Sequence, residues 1–108
     1  VRELLLIHPD VNGIFAVNEL YAVVAMKVAK EMGYEIPKDL QVIGFTDGML
    51  SKHATPTLST VSQHGESMGA KAADLLIQRI DERVNDLPKE PTKTVIISTN
   101  LIQRDSTK

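Results

Sequence analysis

Three short clusters of polar residues follow three apolar runs of this chain, and their side chains are of the types that bind small polar ligands. Asn18-Glu19 follows the run GIFAV, Thr46-Asp47-Gly48 follows QVIGF, and Ser62-Gln63-His64 follows TLSTV. In an open α/β sheet, ligands bind beyond the carboxyl ends of the parallel strands. Amide, carboxylate and hydroxyl groups at such an edge suit many-point hydrogen bonding to a small polyhydroxylated molecule. We therefore predict a ligand site built from Asn18, Asp47 and Gln63, with Thr46 as a secondary contact.

Each of these residues also has a purely structural interpretation. Asn18 stands before a long apolar segment, where an N-cap residue of a helix is expected. The pair Asp47-Gly48 is typical of a turn, and Gln63 could be a surface amide. It is the occurrence of all three clusters at equivalent strand ends that favours binding over these alternatives.

Catalytic and metal chemistries have weaker support in the sequence. Glu19 and Asp47 could form the carboxylate pair of a glycosidase or ligate a divalent cation, but neither lies in a recognisable motif. His8, His53 and His64 do not have the spacing of a metal-binding motif. The chain has no phosphate-binding loop, no dinucleotide fingerprint and no Cys. We predict no metal, no cofactor and no enzymatic activity.

Composition describes a small globular chain. Its 108 residues are 43% hydrophobic and 24% charged, with a formal net charge of −2. This apolar fraction is too high for a disordered chain, and the near balance of charges argues against a DNA-binding module. The sequence has neither a secretion signal nor an 18-residue apolar segment, and the absence of Cys suits a reducing cytoplasm. We expect a cytoplasmic protein without a membrane span.

Short apolar runs alternate with helical patterns along the chain, which predicts an α/β fold with a parallel sheet. We predict helices over residues 1–7, 18–32 and 66–84, and strands over 13–17, 40–45, 57–61 and 94–102. The first two strands are continuous apolar runs, the form of strands buried on both faces. Because the chain supplies few helices to cover both faces, we expect it to be part of a longer protein.

The two long helices differ in their apolar pattern. Residues 20–26 include no charge over nearly two turns, so this helix presents apolar surface all round. The sheet can cover one side of it, and either another part of the chain or a second subunit must cover the other; we favour the subunit interface. The helix over residues 68–80 carries its apolar residues on one face, as an ordinary one-sided helix does.

These segments together resemble a known family. The succession GIFAVNELYAVVAMKVAKEMGYEIPKDLQVIGFTDG, then ATPTLSTVSQHGESMGAKAADLLIQRI, then LIQRDST is similar to the carboxyl-terminal part of lactose-repressor-type (LacI/GalR) transcriptional regulators. The resemblance implies a periplasmic-binding-protein-like effector domain of two α/β lobes, of which this chain is an incomplete copy. Residues 1–63 and 94–108 would belong to the C-terminal lobe, and residues 64–93 would be a crossover helix and linker of the other lobe. The family's helix-turn-helix and most of its N-terminal lobe have no counterpart here.

The resemblance also implies a function: a cytoplasmic homodimer that senses a small-molecule effector of the carbohydrate class and binds operator DNA through its N-terminal domain. Asn18 matches the family's ligand-contacting amide, and Gln63 matches a polar position at the crossover. Thr46 stands where the family usually has a sugar-binding Asp, and Glu19 replaces a common Asp. The family's dimer contacts fall on Val23, Lys27, Leu50 and His53. The alternative is the solute-binding component of a sugar ABC transporter, which shares the two-lobe fold.

Overall fold

A four-stranded, mostly parallel sheet organises the chain. The computed structural model describes residues 1–107. The strands are β1 (Gly13–Phe15), β2 (Gln41–Phe45), β3 (Ser59–Ser62) and β4 (Asn100–Ile102), in the order β1-β2-β3-β4. The first three are parallel, and β4 pairs antiparallel with β3. The α/β fold class predicted from the sequence is confirmed.

The helices follow the predicted order with two additions. They are α1 (Arg2–Ile7), α2 (Glu19–Glu31), α3 (Met49–His53) and α4 (Gly65–Val84), and a 3₁₀ turn spans Asp105–Thr107. The short helix α3 and the 3₁₀ turn were not predicted. The predicted strand over residues 94–102 is wrong in its first six positions, because only Asn100–Ile102 pair with a neighbouring strand.

The core lies between α2 and one face of the sheet. Its fully buried members include Ala22 and Ala29 of α2, Val42 of β2, and Leu40 and Leu58 at strand ends. Small residues let the helix approach the sheet closely. A β-carbon on Gly44 would lie 3.2 Å from the side chains of both Ala22 and Leu58, so a larger residue there would push α2 away.

The first two strands are not buried on both faces within the described chain, contrary to the prediction. Burial alternates along β2, and Val42 and Gly44 face the core. In β1, Phe15 is 60% exposed. The physical reason is that β1 is at the edge of the sheet and that the core occupies only the α2 face.

Helix α2 is apolar on both its buried and its exposed sides. Its alanines and Met26 are buried against the sheet, whereas Leu20, Tyr21 and Val24 are about half exposed. The described chain therefore covers one side of α2 and leaves an apolar surface on the other.

The chain divides into two compact units, one of residues 1–63 and 99–108 and one of residues 64–98. The second contains α4, whose apolar residues Met68, Leu76 and Ile80 are about half exposed. Within it, the buried Glu82 carboxylate accepts hydrogen bonds from Arg79 at 2.8 Å and Gln78 at 3.1 Å. No helix within residues 1–107 combines the length and apolar character that a membrane span requires.

Candidate ligand site

The carboxyl ends of β1, β2 and β3 lie side by side, as the positions of the polar clusters require. The Ala16 N–H donates to the Ile43 carbonyl at 2.8 Å, and the Thr46 N–H donates to the Val61 carbonyl at 3.0 Å. These two bonds join the chain just beyond β1 to β2, and the chain just beyond β2 to β3. The predicted residues therefore follow three neighbouring strands at one edge of the sheet.

Thr46 and Gln63 are in direct contact at this edge. The Gln63 Nε2 donates to the Thr46 Oγ1 at 3.0 Å, and both residues are partly buried. The backbone of Thr46 has φ of +79°, in the left-handed region that a β-branched residue rarely adopts. Such conformations persist only where the surroundings hold them, and they concentrate at functional sites. The contact leaves the Gln63 side-chain carbonyl and the Thr46 hydroxyl proton for other partners.

Asn18 has the N-cap role that the structural interpretation assigned to it. Its Oδ1 accepts the Tyr21 N–H at 2.9 Å, and its backbone is extended at φ −156° and ψ 168°. This cap satisfies one of the unpaired N–H groups in the first turn of α2. The cap uses only the side-chain oxygen, so the two amide donors of Asn18 are not part of it.

Asp47 is held by two side chains. Its Oδ1 accepts a hydrogen bond from Thr60 Oγ1 at 3.0 Å. The same oxygen forms an ion pair with the Arg104 guanidinium at 2.7 Å. Burial alone would raise the pKa of Asp47. The hydrogen bonds from Arg104 and Thr60, with the positive charges of Arg104 and Lys52, outweigh it and leave that pKa below its ordinary value. Both contacts use Oδ1, so Oδ2 is the oxygen on which a ligand contact is possible.

Arg104, whose backbone lies at the amino end of β3 and whose side chain reaches Asp47, is the main contact of the candidate residues that was not predicted. Its guanidinium also donates to the Leu58 carbonyl at 2.8 Å and approaches Thr60 Oγ1 at 3.3 Å. Its position after β4 brings it back beside β3, to which β4 is paired. The only sequence signal for Arg104 was its place in the closing segment LIQRDST. That segment supported the family resemblance, but it did not indicate which carboxylate Arg104 would pair with.

Glu19 contacts the start of α3 and does not share the partners of Asp47. Its Oε2 accepts hydrogen bonds from the Gly48 N–H, the Ser51 N–H and the Ser51 hydroxyl at 3.0, 3.2 and 2.8 Å. The two carboxylates are therefore engaged by different elements. Within residues 1–107, no group of three or more His, Asp or Glu residues is placed to hold a metal ion.

The predicted dimer residues lie on α2 and α3. Val23 is half-buried and Lys27 is exposed one turn later on the same helix, while Leu50 and His53 of α3 are exposed. Glu19 links these two helices through its bonds to Ser51.

A separate cavity lies in the unit of residues 64–98. It measures about 630 Å³ and its polar lining includes Asp74, Gln78 and Asp81 of α4 and Glu90. None of the predicted ligand residues lines this cavity.

Comparison with known proteins gives a consistent picture. A family model described as the periplasmic binding protein-like domain matches residues 1–107. The ribose operon repressor of Halalkalibacterium halodurans is 40% identical over 107 residues, which cover 99% of this chain and 31% of that protein. The lactose operon repressor of Rhizobium radiobacter is 33% identical over 107 residues, covering 99% of this chain and 89% of that protein.

A solved structure described as the complex of the transcriptional regulator CelR with cellobiose superposes with a TM-score of 0.84 at 34% identity. The match covers 97% of this chain and 31% of the CelR chain. The chain thus spans less than a third of the length of the ribose repressor and of CelR, and most of the length of the lactose repressor.

Proposed function

The chain belongs to the periplasmic binding protein-like domain family, and from this premise we propose that it is the effector-sensing and dimerisation part of a LacI-type transcriptional regulator. Its relatives are named as repressors and transcriptional regulators, which favours regulation over solute binding for a transporter. Residues 1–63 and 94–108 are assigned to the C-terminal lobe, and residues 64–93 to the other lobe. The division into one unit of residues 1–63 and 99–108 and another of residues 64–98 supports this assignment for all residues except 94–98.

The observation that carries the function is the meeting of Thr46 and Gln63 at the carboxyl edge of three parallel strands, where α/β sheets bind ligands. Asn18, Thr46, Asp47 and Gln63 form the ligand site. Their free groups are the amide donors of Asn18, the Gln63 carbonyl, the Thr46 hydroxyl proton and Asp47 Oδ2. Such a mixture of donors and acceptors matches hydroxyl groups, each of which both donates and accepts.

The ligand is an uncharged carbohydrate or a related polyol. Arg104 compensates the charge of Asp47, and the N–H groups of α3 surround the Glu19 carboxylate, so neither carboxylate calls for a cationic ligand. The cellobiose bound by the related CelR supports the carbohydrate class. No catalytic step is assigned to the chain.

Dimerisation uses the exposed apolar side of α2 together with α3. Val23, Lys27, Leu50 and His53 contribute, next to the half-exposed Leu20, Tyr21 and Val24 of α2. An apolar surface of this kind on a globular chain marks an interaction site. In the whole regulator, operator DNA is bound by a separate domain. The effector can change the affinity for DNA by no more than the difference between its own affinities for the two lobe arrangements.

Calorimetry on the whole regulator, with two variants of Asn18, tests the ligand site. The titrants are neutral mono- and disaccharides, including cellobiose, ribose and lactose, because these sugars occur in the names of the relatives. Asn18→Asp keeps the oxygen that caps α2 but removes the amide donors, whereas Asn18→Ala removes both. We expect each to weaken sugar binding by about 1–3 kcal/mol, with a loss of fold stability of about 1 kcal/mol in Asn18→Ala alone.

Gln63→Ala should weaken binding of the same sugar by a similar amount. Gln103 is an exposed glutamine that follows β4, so Gln103→Ala is the matched control and should leave sugar affinity unchanged. Unchanged affinity in Asn18→Asp and Gln63→Ala would remove these residues from the site. A folded protein that binds no sugar of the panel would contradict the carbohydrate class.

A further inference from the structure

Glu19 connects the end of β1 to the loop that follows β2, and the two elements carry different halves of the candidate site. We infer that Glu19 is a positioning residue that holds residues 46–48 in the conformation that presents Thr46 and Asp47 to the ligand. This inference rests on the proposed ligand site, and it concerns a residue that itself makes no contact with the ligand.

The first observation is that Glu19 serves as the N-terminal cap of a helix to which it does not belong. The residue before α3 is Gly48, which has no side chain to cap it. Glu19 Oε2 instead accepts the N–H groups of Gly48 and Ser51 and the Ser51 hydroxyl, and Ser51 is fully buried. A helix of only five residues is not stable by itself. The position of α3, and of the loop before it, therefore depends on this carboxylate.

A second observation is steric. A β-carbon on Gly48 would overlap the Glu19 carboxylate, so the backbone of the loop lies directly against that side chain. The loop cannot move toward α2 without a clash, and it cannot move away without breaking the hydrogen bonds to Gly48 and Ser51. A side chain at position 48 would therefore displace the Glu19 carboxylate from its hydrogen bonds to Gly48 and Ser51.

The third observation links Glu19 to the ligand residues. Ser51 Oγ, which donates to Glu19, also lies 3.5 Å from the Thr46 carbonyl. Thr46 has the strained left-handed backbone and accepts the hydrogen bond from Gln63. A strained residue of this kind keeps its conformation only when its neighbours restrain it. Thr46 is restrained by its N–H bond to the Val61 carbonyl, by Gln63, and by the packing of Ser51, which Glu19 holds, against its own carbonyl.

Asn18 and Glu19 thus cap two different helices from adjacent positions. Asn18 caps α2, which begins at Glu19, and Glu19 caps α3. This pairing fixes the candidate ligand groups of β1 and β2 relative to each other before a ligand arrives. Preorganisation of this kind raises affinity because less conformational freedom is lost on binding.

Glu19→Ala and Glu19→Gln test this role, with Glu31→Ala as the matched control. Glu31 lies on the same helix and forms an exposed ion pair with Arg2 at 2.9 Å. The first measurement is amide hydrogen exchange of the ligand-free protein. In Glu19→Ala we expect the Gly48 and Ser51 amides to exchange at least about tenfold faster, the factor that about 1.4 kcal/mol produces. The core amides of Ala29 and Val42 should keep their rates within about twofold.

The second measurement is affinity for the sugar of the calorimetric panel that the unchanged protein binds. Glu19→Ala should bind it at least about tenfold more weakly, Glu31→Ala should bind it normally, and Glu19→Gln should recover part of the loss because it retains one acceptor oxygen. Ser51→Ala, which removes the hydroxyl but keeps the N–H donor, should show a smaller loss and is the variant to use if Glu19→Ala does not fold.

The outcomes separate this role from the proposed function. Faster exchange at Gly48 and Ser51 with unchanged sugar affinity would make Glu19 a structural residue only and overturn the inference, as would unchanged exchange. If the unchanged protein binds no sugar, the proposed ligand fails, while the exchange rates still decide whether Glu19 holds the loop.

Discussion

The ion pair between Arg104 and Asp47 allows the sharpest prediction about stability. Arg104→Met removes the guanidinium but keeps an unbranched apolar stem of similar reach. The substitution leaves Asp47 without its cation and the Leu58 carbonyl without the donor that lies 2.8 Å from it. Thr60 keeps its hydrogen bond to Asp47.

The expected loss follows from burial. The Arg104 and Asp47 side chains are 18% and 14% exposed, so the pair is largely but not fully removed from water. Removing one partner of a buried pair costs about 3–5 kcal/mol. Because the remaining exposure allows water to hydrate the Asp47 carboxylate, we expect Arg104→Met to lower the free energy of unfolding by about 2–4 kcal/mol.

Urea unfolding at neutral pH measures this loss, with Arg2→Met as the matched control. Arg2 forms an ion pair of similar length with Glu31, but its side chain is 57% exposed, so its loss should cost less than about 1 kcal/mol. Asp47→Asn in the Arg104→Met background completes a double-mutant cycle, and we expect the two losses to be less than additive by about 1–2 kcal/mol. If Arg104→Met lowers the free energy of unfolding by no more than Arg2→Met does, the ion pair between Arg104 and Asp47 does not stabilise the fold.

Three further outcomes are expected. Because the pKa of Asp47 is lowered in the folded protein, its charge stabilises the fold at neutral pH, and this contribution is lost as the pH falls through that lowered pKa. Between neutral and strongly acidic pH, the Tm of Asp47→Asn should therefore decrease less than the Tm of the unchanged protein. An equal decrease in both proteins would contradict this role of Asp47. In urea unfolding, Ser106→Ala should lower the free energy of unfolding by about 2–4 kcal/mol, because the buried Ser106 hydroxyl donates to the Val42 carbonyl at 2.6 Å and accepts the Ser59 N–H at 2.8 Å. Ser67→Ala, at an exposed serine, is the control, and an equally small loss in both variants would show that the Val42 and Ser59 groups find other partners. Sedimentation of Val23→Glu should show loss of the dimer proposed for α2, with Lys71→Glu on the exposed side of α4 as a control, and an intact dimer would place the interface elsewhere.

Hydrophobic periodicity was sufficient to predict the long elements. Helix α2 was expected over residues 18–32 and occupies Glu19–Glu31, with Asn18 and Met32 as its caps. A long apolar segment, a good N-cap residue and a terminal Gly33 all agree on this helix, so local signals determine it. The strand β2 was predicted to within one residue for the same reason.

Elements that depend on partners were not predictable in the same way. The extent of β4 is set by how many of its residues pair with β3, and only three do. The apolar run within residues 94–99 therefore overestimated the length of the strand. Helix α3 has five residues, too few for a periodic pattern, and its first turn is capped by Glu19 from another helix.

The charges of the strand-end site show the same limit, and they change what the site can bind. Sequence position placed Glu19 and Asp47 at the edge of the sheet, but it did not indicate that each carboxylate is already engaged, one by the N–H groups of α3 and the other by Arg104. An acidic edge with free carboxylates would favour a cationic ligand, whereas an edge with compensated carboxylates offers mainly the neutral groups of Asn18, Thr46 and Gln63. A cationic ligand would have to compete with Arg104 for Asp47, and that competition would cost the stability that the ion pair supplies. The same argument ties binding to folding at this edge, because a variant that frees Asp47 should change both the stability of the fold and the charge of the ligand that it accepts.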